Sequence, residues 1–309
     1  MPLSIFGFRA LWSPWFFLSL VAVVLLYFLI TMKWRHRFEN SVPVTGKEII
    51  LFLSGMITLY IIKGSPLDLL GHILFSVHMI QMAVLLFIVA PLLLMGIPNW
   101  VWEKVFEVKI IDWIFRLFTK PVISLMLFAF AFSAYHVPFI LDSLKMSLVL
   151  HSVFTISIFM TAVFLWWPVV NTVKGQPQLH GLKKIGYVIL SAILITPACA
   201  LIIFVDVPVY ETYLGGEAWL KAMALCVPAG TLSGLAGLGV SGPEMFTNMT
   251  TIADQQLGGI VMKTAQELIY VGVIGKIFYT WAADERMNAD EITRQDLLKR
   301  KELHDTGTY

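Results

Sequence analysis

Seven apolar runs dominate this chain of 309 residues, and each has to be hidden from water. They lie near 14–32, 48–63, 68–95, 120–140, 146–170, 185–206 and 256–282. A helix needs ~20 apolar residues to cross the hydrocarbon of a bilayer. Six of the runs meet that length comfortably, while 48–63 is short and contains Gly55. Charges or helix breakers separate the runs, among them Gly64-Ser65-Pro66, Pro98 to Lys120 and Lys174 to Lys184. Only 14% of residues are charged, against about 25% in an average soluble chain. A water-facing surface needs that charge and a lipid-facing one cannot tolerate it. The expectation is an all-α fold, a polytopic membrane helix bundle with seven transmembrane helices. It divides into a seven-helix domain at 1–283 and a charged tail at 284–309.

The basic residues orient the bundle. The loops after the first, third and fifth runs and the tail carry 16 Lys and Arg, and the opposite side carries four: Arg9, Lys63, Lys145 and Lys221. Lys263 and Lys276 fall inside the last run. An excess of Lys and Arg marks the cytoplasmic side. The N-terminus is therefore expected outside and the C-terminus in the cytoplasm of a multi-pass protein of the cell membrane. Met1 to Pro14 has no basic leader region, so the first run is expected to stay in the bilayer uncleaved. The stretch 218–240 is apolar but Gly-rich, with Pro228 in its middle. Read as a span it would put the basic tail outside, so it is read as part of an outer loop, 207–253, re-entrant or lying on the membrane. The tail is expected to be a cytoplasmic helix or disordered. A net charge of +2 makes no case for a nucleic-acid partner. Cys199 and Cys226 form no CxxC pair and define neither a disulfide framework nor a sulfur metal site.

Seven histidines sort by side. His36, His180 and His304 fall in cytoplasmic segments and read as solvated surface groups. His72, His78, His136 and His151 fall inside the predicted spans, all in the outer half and on three neighbouring helices. Titratable groups in lipid are expensive and usually face an interior site. On one continuous helix His72, His78, Met79 and Met82 would share an arc of roughly 120°. Imidazole and thioether suit Cu(I). One ion cannot touch all four, because His72 and Met82 would be ~15 Å apart along the axis. Asp142 and Asp254 lie at the same level, as helix ends or as carboxylates that orient a ligand histidine. These residues alone suit a metal or heme site, a proton path, or hydrogen bonding between helices.

Five segments stand out in order: His72-Ile-Leu-Phe-Ser-Val-His78-Met79-Ile-Gln81-Met82, Ala90-Pro91 through Gly96-Ile-Pro98, His136-Val-Pro138 with Asp142, His151 ahead of Trp166-Trp167-Pro168, and Asp254-Gln255-Gln256 with Gly258-Gly259. With the opening Phe6-Gly7-Phe8-Arg9-Ala10-Leu11-Trp12-Ser13-Pro14, they resemble the bacterial CtaG family of multi-pass cytochrome c oxidase assembly factors. One departure is Met82, where many members carry His; Met keeps Cu(I) binding and weakens the case for heme or Zn(II). The resemblance implies seven transmembrane helices and a role in maturing the copper centres of a heme-copper oxidase.

The joint expectation is a copper-handling assembly factor, not an enzyme. It would hold Cu(I) near the outer face with His72, His78, Met79, Met82, His136 and His151, for a copper-bearing subunit of cytochrome c oxidase. A homodimer is compatible with this reading. The outer loop, with Tyr210 and Trp219, is expected to offer the docking surface. The rivals are a b-type heme redox protein and a copper or proton transporter. A transporter needs polar groups through the inner half, which is almost bare, Lys263 and Lys276 in the last run being the exceptions.

Overall fold

The structure, a computed structural model, describes residues 3–227, 230 and 242–305, with side chains for all of these except 296 and 299–305. In chain order the main helices are α1 (Phe8–Lys33), α2 (Gly46–Gly64), α3 (Pro66–Ile73), α4 (Phe75–Gly96), α5 (Asn99–Phe106), α6 (Lys109–Phe118), α7 (Pro121–Tyr135), α8 (Pro138–Lys145), α9 (Leu148–Val170), α10 (Leu182–Phe204), α11 (Glu211–Leu214), α12 (Gly216–Met223) and α13 (Thr251–Asp305). No strand occurs among the described residues. Five helices are long and apolar enough to cross a membrane: α1, α4, α9, α10 and the apolar part of α13. Two bent pairs, α2 with α3 at 48° and α6 with α7 at 81°, raise the count to seven if each is one span. Those seven candidates fall in the order and near the positions of the seven apolar runs.

Local chemistry sets the boundaries. Thr45 and Glu48 form a reciprocal capping box at the start of α2. Ser65 caps α3 through a 3.2 Å bond from the Leu67 N–H to its Oγ, and Pro66 supplies the first helical residue, where a missing N–H costs nothing. The run read as one helix over 68–95 is interrupted. Leu74 is extended (φ −116°, ψ 130°), so α3 ends at Ile73 and α4 begins afresh at Phe75. No Pro or Gly marks this break. What holds it is Asp254 from the far end of the chain, whose carboxylate accepts the Phe75 N–H at 2.6 Å and the Ser76 N–H at 3.3 Å. A negative side chain at a helix N-terminus satisfies orphaned donors and the helix dipole together. The Ser76 hydroxyl donates to the same carboxylate.

The last helix fits because of two glycines. A Cβ on Gly258 would meet Phe75 Cδ1 at 2.6 Å, and one on Gly259 would meet Ile203 Cγ1 at 2.7 Å. Their absence lets α13 lie tight between α4 and α10. At 55 residues α13 is ~80 Å long, far beyond the ~30 Å of hydrocarbon, so it projects from the bundle. It runs on past residue 284 without a break, so the described part of the tail, to Asp305, is helical.

The bundle has two distinct ends. One gathers the start of α2, the ends of α4 and α9, the start of α10 and the later turns of α13 around one cavity. The other gathers α3, the start of α4, the end of α7, α8 and the 206–223 segment. There Trp219, 0% exposed, packs with Phe6, Leu69 and Ile73. Tyr210 is 2% exposed and donates its hydroxyl to the His136 carbonyl at 2.8 Å. Both rings are core. The expectation that they form a docking surface is corrected: apolar rings in a connection of this length close the end of the bundle instead. The stretch 218–240 lies for its larger part, 228–229 and 231–240, outside the described residues.

Candidate functional site

The histidines of the second end come from four separate segments, so the fold alone brings them together. The break at Leu74 places His72 on α3 and His78 on α4, which removes the single helical arc expected for them. His136 is the residue that closes α7, and His151 sits in the first turn of α9. They meet as two pairs. The His72 and His151 rings stand edge to face with centres 5.4 Å apart. The His78 and His136 rings lie 6.4 Å apart. No group of three or more His, Cys, Asp and Glu side chains close enough to share an ion occurs among the described residues.

The nitrogens tell more than the rings. His136 Nδ1 lies 2.7 Å from the Phe132 carbonyl, which can only accept, so Nδ1 carries the proton and Nε2 keeps its lone pair. That Nε2 is buried and has no hydrogen-bond partner. Neither does His78 Nε2, nor His151 Nδ1. Three ring nitrogens are thus removed from water with nothing to bond, an arrangement rare in folded proteins and usually explained by function or a bound species. His78 is 5% exposed and His136 4%.

Met79 and Met82 are buried in the core. Met79 lies against Gly258 of α13. Met82, one turn beyond His78 on α4, shares its helix face. The two carboxylates do not touch a histidine. Asp142 accepts the Glu211 N–H at 3.0 Å and the Thr212 N–H and hydroxyl at 3.1 and 2.7 Å, so it caps α11. Asp254 caps α4 at Phe75, three residues before His78. Both fix backbone near the pairs rather than ring orientation.

Four surrounding groups escape a reading of the sequence. Phe75, Tyr135 and Tyr213 ring His78 with centres 5.8–6.2 Å away. Tyr213 also donates to the Gly71 carbonyl at 3.0 Å. Lys145, counted only as an outer basic residue, is 2% exposed. Its Nζ lies 3.5 Å from the centre of the Tyr213 ring and 3.4 Å from the His72 carbonyl. Burial pushes its pKa down to about 7. Short apolar–basic patterning in a loop gives no sign of such burial. Cys226 lies near the same lysine and its thiol is raised to about 11 by burial, so it is not a ready thiolate.

Lys263, inside the last run, is paired rather than bare: its Nζ sits 2.6 Å from Glu267 and 2.9 Å from the Thr196 hydroxyl. Neither a curated protein nor a solved structure matches this chain. The sequence profile of the cytochrome c oxidase caa3 assembly factor family matches residues 25–284, which span the described bundle from α1 into α13. The chain belongs to the family of cytochrome c oxidase caa3 assembly factors (Caa3_CtaG).

Proposed function

We propose that this protein carries Cu(I) in transit at the histidine-lined end of its bundle and passes it to a copper-bearing subunit of cytochrome c oxidase. The ion is cargo, so the protein performs no catalysis on it. The observation that carries the reading is the set of buried, unpartnered nitrogens on His78, His136 and His151. Two imidazoles that share one ion at ~2 Å from each nitrogen have ring centres about 6 Å apart. The two pairs are spaced at 5.4 and 6.4 Å. Two sites follow, each with two imidazoles, and Met82 stands by the second. Few ligands suit a carrier that has to release its ion, unlike a closed structural centre. The 16-to-4 division of basic residues supports seven crossings with the histidine end outside, the N-terminus outside and the tail from 284 in the cytoplasm.

The test is copper stoichiometry of the purified protein under reducing conditions. The wild type is expected to hold two ions. His78→Ala and His151→Ala should each lose one, and the double variant both. Full copper in both single variants would remove the proposed site. A Soret band in the wild type would put heme there instead. A deletion strain should lose oxidase activity with copper uptake intact; loss of uptake would favour a transporter.

A further inference from the structure

The opposite end of the bundle holds a cavity of about 630 Å³ between α2, α4, α9, α10 and α13. That volume is within the ~300–1,000 Å³ of small-molecule sites. Its wall is largely apolar and carries four tryptophans, while its charged groups come from three helices: Lys47 of α2, Lys184 of α10 and Lys276 of α13. None of the three ammonium groups has an ion-pair partner among the described residues. Glu48 also lines the cavity, but its Oε2 accepts both the N–H and the hydroxyl of Thr45 at 2.7 Å. That leaves Asp284 as the acidic group not tied into a cap.

The tryptophan wall adds an apolar demand. Trp102 and Trp167 meet edge to face with ring centres 4.8 Å apart, and Trp167 is 1% exposed. The cavity therefore suits an occupant that is anionic at one end and apolar along the rest. A free anion would leave the tryptophan wall uncovered, and a neutral oil would leave three cations without a counter-charge.

We infer that this cavity binds an anionic phospholipid, its phosphate between Lys47, Lys184 and Lys276 and its chain along the tryptophan wall. Basic pockets between membrane helices hold such headgroups in general. The inference is independent of copper.

The test uses the purified full chain in detergent, titrated with phosphatidylglycerol and separately with phosphatidylcholine and read by native mass spectrometry. Phosphatidylglycerol is expected to bind roughly 100-fold tighter, about five-fold for each of the three lysines. Lys47 and Lys276 are exposed, so their replacement strains no core. The double variant Lys47→Gln, Lys276→Gln should weaken phosphatidylglycerol by about 30-fold, about five-fold per lysine. Its phosphatidylcholine binding should not move, and Lys47→Arg with Lys276→Arg should restore the preference. Equal affinity for the two lipids, or an unaffected Gln variant, would overturn the inference. So would displacement of the lipid by millimolar inorganic phosphate, which would make this a plain anion site.

Discussion

Replacing Asp254 by alanine tests whether one carboxylate builds the histidine end. Its oxygens take the first two N–H groups of α4, and the side chain is 4% exposed, so water cannot replace it. Two orphaned buried donors at roughly 1–3 kcal/mol each give a loss of about 2–6 kcal/mol. For a chain of this size that is a fall in apparent Tm of about 5–15 °C, read by thermal unfolding in detergent. Asp254→Asn keeps one acceptor oxygen but presents an NH₂ to donors, so it should recover only part of the loss. The damage should also be local. His78 lies in the first turn of α4 and depends on that start, whereas the His72–His151 pair stands on α3 and α9. Asp254→Ala is therefore expected to lose one copper ion and keep the other. An unchanged Tm, or loss of both ions with the fold intact, would refute the reasoning.

Lys145→Met should raise apparent Tm at pH 7. A lysine whose pKa falls from 10.5 to about 7 on folding costs the fold up to about 5 kcal/mol below pH 7. That penalty shrinks as pH rises from 7 to 10.5 and is gone above it, so the margin over wild type should narrow by pH 9.5; a constant margin would count against a buried, titrating lysine. Gly258→Val should force Phe75 and Met79 aside and cost about 1–3 kcal/mol by overpacking, visible as a lower Tm. Trp166→Phe removes the 2.9 Å bond from its indole N–H to the Leu86 carbonyl at the wide turn of α4, a loss of about 1 kcal/mol with no change in copper binding.

Helices long and apolar enough to cross a bilayer are legible in the sequence because hydrophobicity over ~20 residues is a one-dimensional signal. The break at Leu74 is not. It carries no Pro or Gly, and its cause, Asp254, stands 179 residues from Phe75. A local pattern read through it put His72 and His78 on one face. Depth was readable where facing was not: all four histidines do gather at one end, but as two pairs set by which helices touch. Asp142 and Asp254 drew attention by position, and each proves to hold backbone. Tyr210 and Trp219 are buried although they lie in a long connection, because length alone does not decide whether a connection is exposed. Lys145 could have been singled out by a single hint, its place in the short connection between two runs that each carry a histidine.

On the proposed function, the way both carboxylates face bears on which ion the end would accept. Asp142 and Asp254 give their oxygens to backbone N–H groups, and the ring nitrogens left over have no hydrogen-bond partner. A dication set among neutral imidazoles, thioethers and aromatic rings, with Lys145 close by, would stand uncompensated in a poorly solvated place. A monovalent ion with soft ligands meets half that charge and the right donors. Turning the acids away is thus not neutral to the chemistry. It lets the same carboxylates stabilise α4 and α11 while keeping negative charge off the rings, so the proposed preference for Cu(I) over Zn(II) would rest on the helix caps as much as on the histidines.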